Sequence, residues 1–390
     1  MTSSGTTLLL TADTVVTPAA VGPGWVEVAG DRITGAGTGA PPRPADVDLG
    51  DAVLVPGFVD MHVHGGAGAA FPDGDPDQAL HAVRFHRTHG TTTMMASLVA
   101  AAPADLLRAV DALAGLVADG ELAGVHLEGP WLAGARCGAH DPRQLRDPDP
   151  GELERLLRAG HGAVRMVTLA PERAGGLDAV RRIVDAGAIA ALGHTDATYA
   201  LTRSAVAAGA RVGTHLFNAM APVHHREPGP AVALLEDSRV TVELVTDGLH
   251  VHPALWEHVL RSTGGGRVAA VTDAMAAAGM PDGQYHLGAL QVTVTDRVAR
   301  VADTGTIAGS TATTDALFAN VVRHAALPRE EALARAVAMT AGTPAQALGL
   351  ADVGAIEAGR RADLVVLDPD LRVREVYRAG VRLTPVPLAG

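Results

Sequence analysis

The middle of the chain alternates between short apolar runs and amphipathic segments. The segment 105–117 is a clear case of the second kind, because Leu106, Val110, Leu113 and Val117 recur at the spacing of one helix face. The apolar runs predict eight strands, at 52–64, 91–96, 122–127, 164–169, 189–192, 211–214, 240–245 and 267–271. The amphipathic segments predict helices at 75–90, 105–117, 152–159, 177–186, 199–208, 313–326 and 330–338.

This alternation predicts the architecture of the central part. Near-continuous apolar strands are typical of parallel sheets that are covered on both faces. Eight such strands, each followed by a helix or a long loop, predict an α/β protein with a (β/α)8 TIM-like barrel. Alternating residues at 285–301 predict a hairpin in the last strand-to-helix loop.

Both ends of the chain lack the strand–helix alternation of the middle part. Short strands separated by turn residues are predicted near the start and again after Gly349, with no helix before residue 75; their ranges are 7–10, 14–16, 24–28, 31–34, 354–356, 362–367 and 373–381. We expect the two ends to form one small discontinuous β-sandwich domain. The expected boundaries are 1–54 and 350–390 for that domain and 55–349 for the barrel, with 384–390 as a loose tail.

The composition of the chain excludes several classes of partner and of chemistry. A net charge of −12 argues against nucleic acid or an anionic membrane as the main partner, and favours a small molecule. All 31 cations are arginine, so neither a lysine Schiff base nor a carboxylated lysine between two metals is available. Cys137 is the only cysteine, and no basic region precedes an apolar core at the N-terminus. We therefore expect a cytoplasmic protein without disulfides.

Histidines and carboxylates follow five of the predicted barrel strands. The active site of such a barrel lies at the carboxyl ends of its strands, where the sequence places His62, His64, Glu128, His194, His215 and Asp273. Imidazole and carboxylate are the ligands of catalytic zinc and iron. Glu128, His194 and His215 are predicted to hold a metal that leaves a position open for water. Asp273 is predicted to take the proton of that water, which describes hydrolysis of an amide or a related bond.

Several ordered strings make the chain similar to a known family. They are PGFVDMHVHG (56–65), HLEGPWL (126–132), GAH (138–140), LGHTDA (192–197), THLFNAM (214–220), REPG (226–229), DGLH (247–250), VTDA (271–274) and IAGS (307–310). Together they resemble the N-acetylglucosamine-6-phosphate deacetylases of the amidohydrolase superfamily. The resemblance covers residues 55 to about 350.

The resemblance implies an activity and roles for residues. It implies cleavage of the acetamide of the amino sugar phosphate, with Glu128, His194 and His215 as metal ligands and Asp273 as acid and base. His140 would stabilise the oxyanion, and Arg226 would bind the phosphate. Further substrate contacts are implied for Ala139, His140, Asn218, Ala219, Asp247, His250, Ile307, Ala308, Gly309 and Ser310. A homodimer that shares phosphate contacts between subunits is also implied.

The number of metals and the substrate stay open. Some members of the family lack the His-x-His pair and use one metal, whereas this chain keeps His62 and His64. We therefore expect one or two divalent ions, zinc or iron, with a second site in which Glu128 is the bridge. The alternatives are a deacetylase for another sugar phosphate such as N-acetylgalactosamine 6-phosphate, an N-acyl amino acid hydrolase, or a non-catalytic sugar-phosphate sensor. Asp273 argues against the sensor, because binding alone needs no acid or base.

Overall fold

The computed structural model describes residues 7–383 of the chain. Its residues group into two compact units: one from the described parts of Met1–Asp60, Phe85–Thr93 and Thr314–Gly390, the other from Met61–Arg84 and Met94–Thr313. The predicted tail at 384–390 lies outside the described residues. The predicted domain boundaries at residues 54 and 349 stay a prediction.

A sheet built from both chain ends dominates the first unit. Its strands are Thr7–Val16, Val21–Ala29, Arg32–Thr38, Val47–Asp48, Val53–Pro56, Leu364–Leu367, Val373–Arg378 and Val381–Arg382. Val53–Pro56 joins the two ends, because it pairs parallel with Thr7–Val16 and antiparallel with Leu364–Leu367. Leu10, Val26, Leu54 and Leu364 meet in the core of this unit.

Two predictions fail in this sheet. The apolar run at 52–55 was expected to begin the first barrel strand, but it belongs to the terminal sheet, and the first barrel strand is Phe58–Asp60. No strand forms at the predicted 354–356. Gly354 adopts φ 84°, and a Cβ there would lie 2.7 Å from the Ala341 carbonyl oxygen, so this position is a tight turn.

The second large sheet is the predicted barrel. Its eight parallel strands follow chain order: Phe58–Asp60, Thr91–Leu98, Gly124–Glu128, Val164–Leu169, Ile189–Leu192, Val212–Gly213, Thr241–Leu244 and Val268–Ala270. The first and last strands approach each other where Asp273 N donates to His62 O over 2.9 Å. All residues of Gly124–Glu128 are buried, as expected for a strand with both faces covered. The predicted fold class is confirmed.

Helices alternate with these strands. They are Pro76–Thr88, Pro103–Ala118, Pro150–Ala159, Gly176–Asp185, Tyr199–Ala208, Gly229–Glu236, Pro253–Thr263, Thr314–His324, Arg329–Val337 and Thr343–Ala347, with a π turn at Ala338–Gly342. Asp149 and Thr198 cap two of them by accepting a backbone N–H. Gly229–Glu236, Pro253–Thr263 and Thr343–Ala347 were not predicted; the first is almost wholly apolar, so it lacks a helical period.

The connections contain further short elements. The expectation of no helix before residue 75 is wrong, because Phe71–Asp73 is a 3-10 turn; others are Gly134–Arg136 and Pro142–Gln144. The predicted hairpin is a three-stranded antiparallel sheet of Gly283–Leu287, Leu290–Thr295 and Val298–Val301, and a two-stranded pair forms from Gly65–Gly66 and Ala69–Ala70. Among residues 7–383, no helix combines the length and apolarity that a membrane span needs.

Candidate active site

Three side chains from separate barrel strands, those of Glu128, His194 and His215, lie in mutual contact. Glu128 Oε1 lies 2.9 Å from His215 Nε2 and 3.1 Å from His194 Nε2, and the two imidazole nitrogens are 3.0 Å apart. All three residues are buried. Glu128 ends its barrel strand, and His194 and His215 lie two residues after theirs, so the convergence of strand ends at one edge explains the cluster.

A second cluster adjoins the first. His62 Nε2 and His64 Nε2 are 3.1 Å apart, and they lie 3.5 and 3.3 Å from Asp273 Oδ1. Glu128 also contacts this second cluster, because its other oxygen, Oε2, lies 3.2 Å from His64 Nε2. The two groups with metal-ligand chemistry are His62–His64–Asp273 and Glu128–His194–His215, and they meet at the Glu128 carboxylate.

In His64 and His194, the hydrogen-bond partner of Nδ1 determines whether Nε2 has a lone pair that can bind a cation. His64 Nδ1 lies 3.1 Å from Ser97 O, and His194 Nδ1 lies 2.8 Å from Arg136 O. A carbonyl only accepts, so Nδ1 carries the hydrogen in the neutral ring and Nε2 carries a lone pair. Two nitrogen lone pairs about 3 Å apart repel each other unless a proton or a metal cation lies between them. The donor set therefore fits a divalent metal.

His140 approaches the same carboxylate with an N–H donor instead of a nitrogen lone pair. Ala100 N donates to His140 Nδ1 over 3.1 Å, so that nitrogen carries the lone pair. In the neutral ring the hydrogen is then on Nε2, which lies 3.2 Å from Glu128 Oε2. In the neutral rings, His140 thus presents a donor to the site, whereas His64 and His194 present acceptors.

Three residues of the site have a strained backbone conformation. His194, His215 and Asp273 have φ values of 47°, 27° and 48°, a region that side-chain-bearing residues rarely adopt and that costs about 1–3 kcal/mol each. Hydrogen bonds fix Asp273 on both sides, from its N–H to His62 O and from Ser310 N to its carbonyl over 2.7 Å. A Cβ at Gly309 would lie 2.7 Å from the same carbonyl, so glycine is needed there.

The electrostatics reflect the concentration of carboxylates and imidazoles. Burial opposes the charged form of Glu128, but the neighbouring imidazoles, first of all His62, hold the pKa of its carboxyl well below its ordinary value. The pKa of Asp273 is lowered in the same way by His62 and His64 against the effect of burial. Burial also opposes protonation of His64, yet its hydrogen bonds to Asp273 and Glu128 raise its pKa to about 9. Burial and then His140 lower the pKa of His194 to about 4. In the metal-free protein the site therefore holds ionised carboxylates beside at least one imidazolium.

Residues of both clusters line a cavity of about 350 Å³. Its lining includes most of the predicted site: His64, Glu128, Ala139, His140, His194, His215, Asn218, Ala219, His250, Asp273, Ile307 and Gly309. In the wall, His250 Nδ1 pairs with Asp247 Oδ2 at 2.7 Å. Burial opposes protonation of His250, but Asp247 raises its pKa. The cavity is large enough for a small substrate.

A family model described as the amidohydrolase family matches residues 53–385. The chain belongs to the amidohydrolase family. This confirms the resemblance to that superfamily drawn from the ordered strings.

Named relatives of this amidohydrolase act on amino sugar phosphates. It is 37% identical over 346 residues to an N-acetylgalactosamine-6-phosphate deacetylase of Escherichia coli O157:H7, covering 87% of this chain and 90% of the relative. It is also 37% identical over 344 residues to an N-acetylglucosamine-6-phosphate deacetylase of Vibrio furnissii, covering 87% of this chain and 85% of that relative.

A solved structure is more similar. The N-acetyl-D-glucosamine-6-phosphate deacetylase of Mycobacterium smegmatis, a variant with one aspartate replaced by alanine, was determined in complex with N-acetyl-D-glucosamine-6-phosphate. Its sequence identity to this amidohydrolase is 56% and the TM-score is 0.95, with 97% of this chain and 99% of that chain covered.

Five predicted residues lie off the cavity wall. Arg226 is on an exposed turn beside His225. His62 is buried behind the wall. Ala308, Ser310 and Asp247 support the residues that line it: Ala308 packs in the core of the three-stranded sheet, Ser310 holds the backbone of Asp273, and Asp247 pairs with His250.

The sequence did not indicate several residues of the site. Arg136 lines the cavity and pairs with Asp196 at 2.8 Å, and Leu287 and Thr306 come from the three-stranded sheet and the turn after it. Buried Glu243 contacts His62. Only Glu243 carried a usable signal, because it is a lone charge inside the apolar run 240–245.

Proposed function

We propose that this amidohydrolase cleaves the acetamide of N-acetyl-D-glucosamine 6-phosphate, giving D-glucosamine 6-phosphate and acetate. The observation that carries the proposal is the pair of ligand clusters that meet at Glu128 and whose residues, Asp273 among them, line a cavity. The structural relative that is 56% identical and holds N-acetyl-D-glucosamine-6-phosphate supports this substrate.

The metal requirement follows from the donor set. Glu128, His194 and His215 would hold one divalent ion, and His62, His64 and Asp273 a second, with zinc or iron as the expected metal. When bound, such an ion polarises a carbonyl and lowers the pKa of water. Because the Nε2 lone pairs already converge, little reorganisation is needed to form the site.

Asp273 is the proposed proton carrier. Its low pKa keeps the carboxylate ionised at neutral pH, so it can accept a proton. As the water oxygen bonds to the acetamide carbon, its proton passes to Asp273. The proton then passes to the sugar nitrogen while the C–N bond breaks, so that acetate and the amine leave. Asp273 returns to its starting state.

His140 is the proposed stabiliser of the oxyanion. Its Nε2–H points at the Glu128 carboxylate, in the region where the acetamide oxygen gains charge during attack. The backbone N–H of Ala100 fixes this tautomer, because only Nδ1 can accept that hydrogen bond. A ring with the other tautomer would present a lone pair to the oxyanion and repel it.

The phosphate is proposed to bind to arginine. Arg226 remains our candidate, and its exposed position fits a homodimer in which the arginine of one copy serves the other. Arg136 is a second candidate, because it lines the cavity of its own chain, although Asp196 already pairs with it. A guanidinium group suits phosphate through its fork of donors.

Acetate release measures the proposed function. Metal-free protein would be loaded with zinc or iron and given N-acetylglucosamine 6-phosphate, N-acetylgalactosamine 6-phosphate or unphosphorylated N-acetylglucosamine. We expect the highest kcat/KM with the first substrate. A higher value with the galactose epimer would favour the second candidate, which the relative of Escherichia coli O157:H7 supports. No release with any of them would refute the deacetylase and favour a binding protein.

A further inference from the structure

Glu243 is a buried carboxylate that does not line the cavity. It lies in the barrel strand Thr241–Leu244 and is fully buried. Its Oε2 lies 2.9 Å from His62 Nδ1 and accepts the backbone N–H of His215 over 3.1 Å. One oxygen atom therefore contacts a residue from each of the two ligand clusters.

The first of these contacts determines how His62 faces the site. A carboxylate only accepts, so Nδ1 of His62 carries the hydrogen and Nε2 presents its lone pair to His64 and Asp273. Without an acceptor behind the ring, the neutral imidazole would be free to adopt the other tautomer, and an N–H would then point where a ligand is required. A carboxylate behind a ligand histidine also raises the basicity of that histidine.

The second contact acts on the backbone. His215 has a positive φ of 27°, and its N–H donates to the same Oε2. This contact holds the chain where the His215 side chain reaches Glu128. The ring of His215 itself does not contact Glu243 in the hydrogen-bond pattern of residues 7–383, since His215 Nδ1 has no partner there. The influence of Glu243 on the Glu128 cluster is thus less direct than on His62.

We propose that Glu243 is a positioning residue that makes the His62–His64–Asp273 cluster competent to bind a divalent metal. The inference rests on the proposed metal centre, but it concerns metal binding in the absence of substrate. Its outcome is therefore separate from whether the enzyme deacetylates any particular sugar.

The experiment compares two substitutions at one position. Glu243→Gln keeps an oxygen acceptor and removes the charge, whereas Glu243→Leu removes the acceptor. Glu152→Gln is the matched control, because Glu152 is also a buried glutamate, but its carboxylate pairs with Arg146. Each metal-free protein is titrated with Zn²⁺ against a chelator, and bound zinc per chain is measured after gel filtration.

The wild type and Glu152→Gln are expected to bind two zinc ions per chain. Glu243→Leu is expected to weaken one of the two sites about 10- to 100-fold, as is usual when the group behind a ligand histidine is lost, and Glu243→Gln to weaken it less. The His62→Gln variant should lose the same site. Adding Glu243→Leu to it should cause no further loss, because both changes remove one function.

Three results would overturn the proposal. One is a Glu243→Leu protein that binds both ions with the affinity of the wild type. Another is equal weakening of both sites, which indicates a general structural role. The third is a wild-type protein that binds only one ion. If Glu243→Leu fails to fold, Glu243→Gln decides, because unchanged affinity at both sites with this variant also overturns the proposal.

Discussion

Replacing Asp273 with asparagine tests the proposed chemistry most directly. Asparagine has nearly the same shape, and the hydrogen bonds of the Asp273 backbone to His62 and Ser310 do not depend on the side chain. The carboxylate contacts are those to the two imidazoles at 3.5 and 3.3 Å. The fold should therefore survive, while the proton acceptor is lost.

The expected loss is that of general acid–base catalysis. It amounts to about 100- to 10,000-fold in kcat, or about 3–5 kcal/mol in the activation free energy. Because Asp273 acts on the reacting atoms rather than on the sugar, kcat and kcat/KM should fall together. The assay is the steady-state release of acetate from N-acetylglucosamine 6-phosphate, with bound metal measured on the same sample.

The control is Asp237→Asn, since Asp237 pairs with Arg239 away from both clusters and its variant should retain the wild-type rate. At least one metal per chain should remain in Asp273→Asn, held by the cluster around Glu128. A kcat within about tenfold of the wild type, with that metal present, would show that another group carries the proton.

Three further outcomes are expected. In metal-free protein, the pKa of His64 is raised from 6.5 to about 9. Between these pH values the folded state binds more protons than the unfolded state, so the free energy of unfolding falls as pH rises. Melting temperatures measured from pH 6 to 10 should therefore decline without metal and stay constant with zinc, and a flat profile without metal would contradict this expectation. Arg226→Ala should raise KM for the phosphorylated sugar far more than for the unphosphorylated one, and a selective effect of Arg136→Ala instead would move the phosphate site to the same chain. His140→Ala should lower kcat about 100- to 1,000-fold in the acetate assay while metal content stays constant, and loss of metal along with activity would make His140 a ligand instead.

Most of the barrel and both clusters could be predicted because parallel strands bring their carboxyl ends to one edge. Each of Glu128, His194 and His215 ends or follows an apolar run, so their sequence position alone implied proximity. The assignment of 52–55 failed for a related reason. Val53–Pro56 has the same apolar texture as a barrel strand, and its partner Leu364–Leu367 lies some 300 residues away along the chain.

What the sequence could not supply is the environment of each side chain. Glu243 has ligand chemistry like Glu128, yet it faces the back of His62 rather than the cavity. Arg136 reaches the cavity from a 3-10 turn whose path no periodicity describes. The positive φ values of His194 and Asp273 likewise depend on hydrogen bonds from distant segments.

The environment that the sequence does not reveal also distinguishes the two histidines His194 and His140. His194 and His140 both approach Glu128 through Nε2, at 3.1 and 3.2 Å. Nδ1 of His194 contacts a carbonyl, so in the neutral ring Nε2 has a lone pair. Nδ1 of His140 contacts the N–H of Ala100, so in the neutral ring Nε2 carries the hydrogen. In the proposed mechanism, backbone atoms on the outer side of each ring would thus determine which histidine is a ligand and which is catalytic. A substitution at Ala100 that turns its N–H away should therefore impair turnover while zinc binding persists, although the side chain at position 100 takes no part in the chemistry.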